Sequence, residues 1–214
     1  MEKDTKPNNI EKFLKLESEK QGRILNAAMK EFQYGYKKAS TDIIVKEAGI
    51  SKGLLFHYFG TKEQLLFFLL DYAAGLVQRD FHDMLNRNNQ DILEAFWQRA
   101  LLKRDLTSQY PFLYEFLNGV FAHWEDTPGG EETMASFEAA QRDFNESFYA
   151  ECNLALFRED IDYKTAISVI MVTMDGVFEQ EDANTTAGKD SESYERFLET
   201  LRSYVDLFRQ CFYK

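Results

Sequence analysis

No stretch of this chain alternates apolar and polar residues long enough to build a convincing strand, whereas apolar residues recur at helical spacing from Ser18 onward. Glycine and proline punctuate turn-rich β architectures, and here they number only 11 and 3 in 214 residues. Ordinary usage of the two together is roughly 12%. Long helices with short connections remain, so the expected fold class is all-α. A hydrophobic content of 44% supplies a core, since a domain of this size buries roughly 70% of the surface its unfolded chain exposes. No 20–50-residue period repeats, which argues against a solenoid.

Helix signals divide the chain finely. The first 17 residues form a polar arm in which Ile10, Phe13 and Leu14 give one amphipathic turn. A helix is predicted from Ser18 to about Tyr34, with Leu25, Ala28 and Phe32 on one side and Gly35 ending it. Ser40 or Thr41 caps a short second helix reaching Ala48. Gly49-Ile50-Ser51 breaks the chain before a third helix, Lys52 to Phe59. Thr61-x-x-Gln64 reads as a capping box opening a long fourth helix that ends near Asn86. Further helices are predicted at 91–107, 110–125, 130–157, 162–180 and 191–212, with Pro111 in the first turn of one. Glu125–Gly130 and Glu181–Asp190 are predicted loops.

The formal charge of −11 argues at first against a polyanionic partner, because nucleic-acid binders carry a basic footprint. Its distribution reverses that. Residues 1–62 hold 12 Lys+Arg against 8 Asp+Glu, a balance of +4, and the remaining chain holds 13 against 28, a balance of −15. A basic head is joined to an acidic body.

Several function classes drop out. The longest charge-free run, Thr165 to Met174, spans 10 residues, short of the roughly 20 a membrane helix needs. The first residues lack an apolar signal core, and Cys152 and Cys211 read as reduced thiols, so a cytoplasmic location is expected. His57, His82 and His123 are scattered, with no Glu-x-x-His or His-Glu-x-x-His spacing. Phosphate-binding glycine loops, a Gly-x-Ser-x-Gly elbow and Cys-x-x-Cys pairs are absent too, so neither catalysis nor a metal or cofactor is expected.

The segment Thr41–Phe59 has the chemistry of a helix-turn-helix. Ile44 and Val45 can face a core, and Ala48 is small enough for close helix approach. Gly49 supplies left-handed backbone, Ile50 plugs the turn, and Ser51 caps the next helix. Such a short second helix fits a major groove of about 12 Å. A plain helical hairpin would share this bare pattern.

The flanks make the pattern specific. From about Gln21 to Leu65 the chain resembles the DNA-binding domain of the tetracycline-repressor (TetR) family. The resemblance rests on Ile24, Ala27, Ala28, Phe32, Gly35, Tyr36, Thr41, Ile44, Ala48-Gly49-Ile50-Ser51, Gly53, Phe56, Tyr58-Phe59, Lys62, Glu63 and Leu65. Val45 stands where the family usually has alanine, and Phe56 where it usually has a tyrosine whose hydroxyl often reaches DNA. The resemblance implies a head at 18–65, containing three helices, and a helical effector-binding and dimerisation body at 66–214. It assigns Thr41, Tyr58 and Lys62 to phosphates, and Lys52, Leu54, Phe56 and His57 to the groove, with Ser51 and Gly53 beside them. Lys52 would donate to guanine, and Leu54 or Phe56 would touch a thymine methyl. With only Lys52 and His57 polar among them, base readout is expected to be modest beside phosphate positioning and DNA shape.

In the body, Ala166, Ile167, Val169, Ile170, Met171, Val172, Met174, Val177 and Phe178 cover nearly the whole circumference of one helix. A helix apolar on all sides is buried on all sides. Phe197, Leu201, Tyr204, Val205, Phe208 and Phe212 form a stripe on the last helix. These two helices are the expected homodimer interface, closing a four-helix bundle that presents two recognition helices to a near-palindromic operator. The middle helices carry Phe96, Trp97, Phe112, Tyr114, Phe116, Phe121, Trp124, Phe137, Phe144, Phe148 and Tyr149, most of them core. The family architecture implies an effector cavity there, with Trp97, Tyr114, His123, Trp124, Met171, Met174 and Asp175 as candidates for contacting an apolar or cationic small molecule. The expected function is that of a ligand-responsive regulator, a repressor released by its effector through a population shift. The alternative is an all-α interaction or carrier protein that has lost DNA binding.

Overall fold

The computed structural model describes residues 9–87, 90–136, 139, 152–184 and 191–214. Helices α1 (Ile10–Leu14), α2 (Ser18–Phe32), α3 (Thr41–Ala48), α4 (Lys52–Phe59) and α5 (Lys62–Arg87) come first. After them come α6 (Ile92–Gln109), α7 (Leu113–Ala122), α8 (130–136), α9 (Tyr163–Asn184) and α10 (Ser191–Phe212). The fold is all-α, and the described residues contain no strand beyond one isolated bridge, Phe157 with Tyr213.

Local chemistry accounts for several helix starts. The Ser40 hydroxyl caps α3 by accepting from the Ile43 N–H, which makes Thr41 the first helical residue. The Thr61 hydroxyl accepts from the Gln64 N–H at 3.0 Å at the start of α5. Asp91 opens α6 by accepting from the Leu93 and Glu94 N–H groups.

Three predicted helices need correction. The span 110–125 shortens to α7, with a 3-10 turn at Trp124–Asp126. Pro111 lies in the turn before α7, closed by the Leu113 N–H on the Tyr110 carbonyl, rather than in its first turn. The span 130–157 is helical at 130–136, but Cys152–Phe157 is not α-helix. There the Asn153 side chain caps a 3-10 turn, and the chain terminus takes up backbone groups: Lys214 N–H donates to Leu156 and Arg158 N–H to Phe212. The last body helix but one runs to Asn184, past the predicted loop start at Glu181. Phe144, Phe148, Tyr149 and Phe137 lie outside the described residues, as do 185–190 of that loop.

The chain divides into two compact units. One comprises Met1–Val77 with Leu106–Arg142, and the other Gln78–Asp105 with Asp143–Lys214. A division after Leu65 falls inside α5, and the unit holding the head also takes in α7.

In the first unit, Phe13, Ile24, Leu25, Phe32, Ile44, Leu55 and Phe59 are all fully buried. Each such side chain contributes roughly 1.5–3 kcal/mol of transfer free energy. α7 lies against α2 so closely that a Cβ on Gly119 would stand 1.8 Å from the Gln33 carbonyl oxygen. Around that contact the Asn26 amide donates to the Gln109 carbonyl, Lys30 stands over the Phe112 ring, and Lys37 pairs with Asp126.

In the second unit, Leu93, Phe96 and Ala100 of α6 pack with Ile170, Met174 and Phe178 of α9 and Leu201, Val205 and Phe208 of α10. Asp91 ties this unit's ends together, accepting from the Tyr213 hydroxyl at 2.7 Å and from Arg209 at 3.1 Å. Burial, with this bond, pushes the Tyr213 hydroxyl well above its ordinary pKa. The stripe predicted on α10 is spent on this core, with Phe197, Leu201, Val205 and Phe208 buried. On α9 the apolar circumference divides: Ile167, Ile170 and Met174 face inward, while Val169 and Val172 are exposed at 42% and 72%.

Candidate nucleic-acid interface

The turn between α3 and α4 is built by three consecutive residues. Gly49 adopts the left-handed conformation at φ 67°, ψ 38°, and the Ile50 N–H closes back on the Val45 carbonyl at 3.0 Å. Ser51 then accepts from the Leu54 N–H at 3.2 Å, ending the turn and starting α4. Ile44 and Ala48 of α3 and Leu55 and Phe59 of α4 are completely buried. That packing leaves one face of α4 outward. Ser51, Lys52, Gly53 and His57 are exposed there, and Leu54 and Phe56 are half-buried. A Cβ at Gly53 would meet only the Ser51 hydroxyl, at 4.0 Å.

The remaining candidates around this face differ in character. Thr41 is half-buried in the first turn of α3. Lys62 opens α5 with its ammonium 4.5 Å from the centroid of the Tyr36 ring, a cation–π contact. Burial pushes the Lys62 pKa down, with Glu31 pulling it back up. Tyr58 is only 6% exposed, its ring edge-on to Phe13, and packs as a core residue. Lys52 pairs with Asp42 of α3 at 2.8 Å, both side chains more than half exposed. Asp42 was not foreseen from the sequence. Ten residues from Lys52, it becomes a neighbour only once the turn has folded α3 against α4.

The effector candidates fall into both compact units. Tyr114, His123 and Trp124 belong to the first, and Trp97, Met171, Met174 and Asp175 to the second. His123 is exposed, with its Cβ beside Gly35. Trp124 lines an open recess of about 500 Å³ with Glu125, Thr127, Gly129, Gly130, Glu131 and Glu132. Met174 is fully buried in the second unit's core, and Met171 and Trp97 pack against it. The Arg202 guanidinium lies over the Trp97 ring at 5.2 Å. Asp175 is exposed and pairs with Arg99 at 3.4 Å, while Arg99 itself stands 4.5 Å from the Phe178 ring centroid. Asp175 is therefore a surface carboxylate with a cation in place. A second cleft of about 210 Å³ lies between Val177, Gln180 and Glu181 of α9 and Ser193, Arg196, Phe197 and Thr200 of α10.

Among the described residues no group of three or more His, Cys, Asp or Glu could hold a metal ion, and no helix is long and apolar enough to cross a membrane.

Comparison with known proteins converges on the head. Residues 24–68 match the family model for bacterial regulatory proteins of the tetR family. No curated protein matches the sequence. Among solved structures, a TetR family transcriptional regulator from Chloroflexus aurantiacus J-10-fl is similar, with a TM-score of 0.56 at 18% identity. The alignment covers 97% of this chain and 100% of that one. A TetR family transcription regulator from Marinobacter aquaeolei VT8 gives a TM-score of 0.55 at 17% identity, over 92% of this chain and 96% of that one. At such identities the likeness is one of fold. The capped, glycine-turned pair α3–α4 lies wholly inside the matched residues, so residues 24–68 carry both the sequence signature and the helix-turn-helix of a tetR-family head, and the chain as a whole resembles TetR family regulators in fold.

Proposed function

We propose that this protein is a repressor that binds a near-palindromic operator as a homodimer and is released by a small, largely apolar effector. The observation that carries the reading is the outward face of α4, where Lys52 and His57 stand exposed on a helix whose opposite side is fully buried. Such a helix can enter a major groove without unfolding anything. Lys52 enters by exchanging one anion for another, leaving Asp42 for a base edge or phosphate. Lys62 and Thr41 hold the phosphates flanking the groove, and Lys62 does so from the first turn of α5, where the helix dipole favours an anion. Leu54 and Phe56, half-buried, are placed for thymine methyl contact.

The exposed Val169 and Val172 of α9, with Leu207 of α10 at 50% exposure, support dimerisation through these two helices. In this reading the effector and dimer functions belong to the residues after Leu65. The pairing of Asp175 with Arg99 favours an apolar effector, because that carboxylate already has its cation. An effector preferring the non-binding head spacing by about 3 kcal/mol would weaken operator binding roughly 150-fold.

Sequences retained from random duplex DNA identify the operator. A salt titration then tests the electrostatic component, with affinity expected to fall steeply as salt rises. No duplex binding even at low salt would instead favour an interaction or carrier protein. The two lysines separate two kinds of contact. Lys52→Ala is expected to cost about 1–3 kcal/mol and to relax preference at one base-pair position. Lys62→Ala is expected to weaken selected and random duplexes alike and to lower the salt slope by about one unit. Quantitative binding on both duplexes at several salt concentrations reads out the difference, and two unchanged mutants would overturn the assignment.

A further inference from the structure

The C-terminal end of α4 is closed by a segment that precedes the matched residues. α4 is eight residues long, and its last four carbonyls have no partner within the helix. The Gly60 N–H takes the Phe56 carbonyl at 2.9 Å, and the Thr61 N–H takes that of Phe59 at 3.0 Å. Both remaining carbonyls are taken by Asn9. Its side-chain amide donates to His57 at 3.0 Å, and its backbone N–H donates to Tyr58 at 3.1 Å. Gly60, at φ 78° and ψ −73°, lies outside the left-handed helical conformation that usually ends a helix. A residue 48 positions upstream of His57 supplies that closure instead.

The contact is built rather than incidental. Four residues after Asn9, Phe13 is fully buried, its ring 4.9 Å from Phe59, 5.5 Å from Phe68 and 5.9 Å from Tyr58. The far end of α1 is tied by the Gln21 amide of α2, which donates to the carbonyls of Leu14 and Leu16 at 3.1 Å and 2.7 Å. The strap is therefore anchored on α2 at one end and on α4 at the other, and it lies before residue 24, where the family match begins.

We infer that Asn9 is a positioning residue for DNA recognition: it holds the last turn of α4, and with it His57, in the orientation that reads bases. This rests on the DNA-binding reading above. A two-turn helix is marginal by itself, so its last turn keeps its orientation through the packing of Tyr58 and Phe59 together with bonds to its carbonyls from outside. Phosphate contacts by Thr41 and Lys62 do not pass through Asn9, so loss of the strap affects discrimination between sequences rather than the electrostatic attraction to any duplex.

The test uses the full chain with Asn9→Asp, which keeps the shape and turns the amide donor into an acceptor facing the His57 carbonyl. An acidic residue at the start of α1 suits that helix, so α1 itself should survive. Phe13→Leu is the second variant, loosening the strap without charge. Amide exchange in the last turn of α4 and at Gly60 is expected to quicken at least about fivefold in both, with α3 unchanged. The preference for the selected duplex over random duplex is expected to fall about fivefold, with the salt slope unchanged. Unaltered exchange in α4, or faster exchange with an unaltered preference, overturns the inference. If the wild-type chain binds no duplex at low salt, it is the regulatory reading that fails. Exchange still shows whether Asn9 closes the helix.

Discussion

Gly119→Ala is expected to break the seating of α7 on α2 and to lower the stability of their unit by about 3 kcal/mol or more, at the upper end of overpacking costs. In an exposed helix the same change would stabilise by about 1 kcal/mol, because alanine is the better helix former. Position decides the sign here. The new methyl would lie 1.8 Å from the Gln33 carbonyl oxygen and 2.8 Å from the Gln33 Cα, both backbone atoms that no rotamer change can move aside. The helices must separate by on the order of 1 Å, which weakens every neighbouring dispersion contact. The Asn26–Gln109 bond and the Lys30–Phe112 contact lie along the same seam. Urea unfolding checks this through a lower midpoint at an unchanged slope. A midpoint equal to wild type would mean that the two helices are not in this contact.

The second large effect concerns assembly. Val172→Glu is expected to leave the folded chain as stable as before, because Val172 is 72% exposed and glutamate is a good helix former. If α9 pairs with its symmetry mate, however, the substitution puts two like charges into an apolar seam. The dimer is then expected to dissociate at micromolar concentrations. With it goes the gain from binding two half-sites at once, about 10²-fold or more in operator affinity. Sedimentation equilibrium gives the mass and duplex binding the affinity, while a thermal melt confirms that the fold survives. A variant that stays dimeric and binds at wild-type strength would move the interface away from this face of α9.

The two effects illustrate different uses of one composition. Of the middle-helix aromatics, Phe96 and Phe116 are fully buried, whereas Phe112, Tyr114 and Phe121 are half-buried. Which side of a helix meets which neighbour was less legible. The stripe from Phe197 to Phe208 reads equally as a dimer seam or an internal face, because periodicity gives an angular position and not a partner. The structure buries it within its own unit and leaves Val169, Val172 and Leu207 outward. Likewise the seven effector candidates share aromatic or polar character, but they divide between two compact units, and Asp175 proves to be paired at the surface.

In the head, the outcome follows chain separation. Gly49 and Ser51 act on residues within five positions, through a left-handed turn and a cap, and both were readable from their spacing. The family resemblance assigns Tyr58 to a phosphate, and nothing local in the sequence announces that its ring also packs on Phe13, 45 positions earlier. The charge split, +4 in the first 62 residues against −15 beyond, marks which end suits a polyanion. It gives no sign that Lys52 is paired with Asp42.

The all-α class, the position of the helix-turn-helix and the basic end that carries it are legible in the residue order. These depend on propensities, caps and turns that act over a few residues. That Asn9 closes α4, that Gly119 brings α7 onto α2, and which faces of α9 and α10 stay outward emerge only on folding. Each of these depends on close approach between groups many positions apart, and such approach is set by packing the whole core at once.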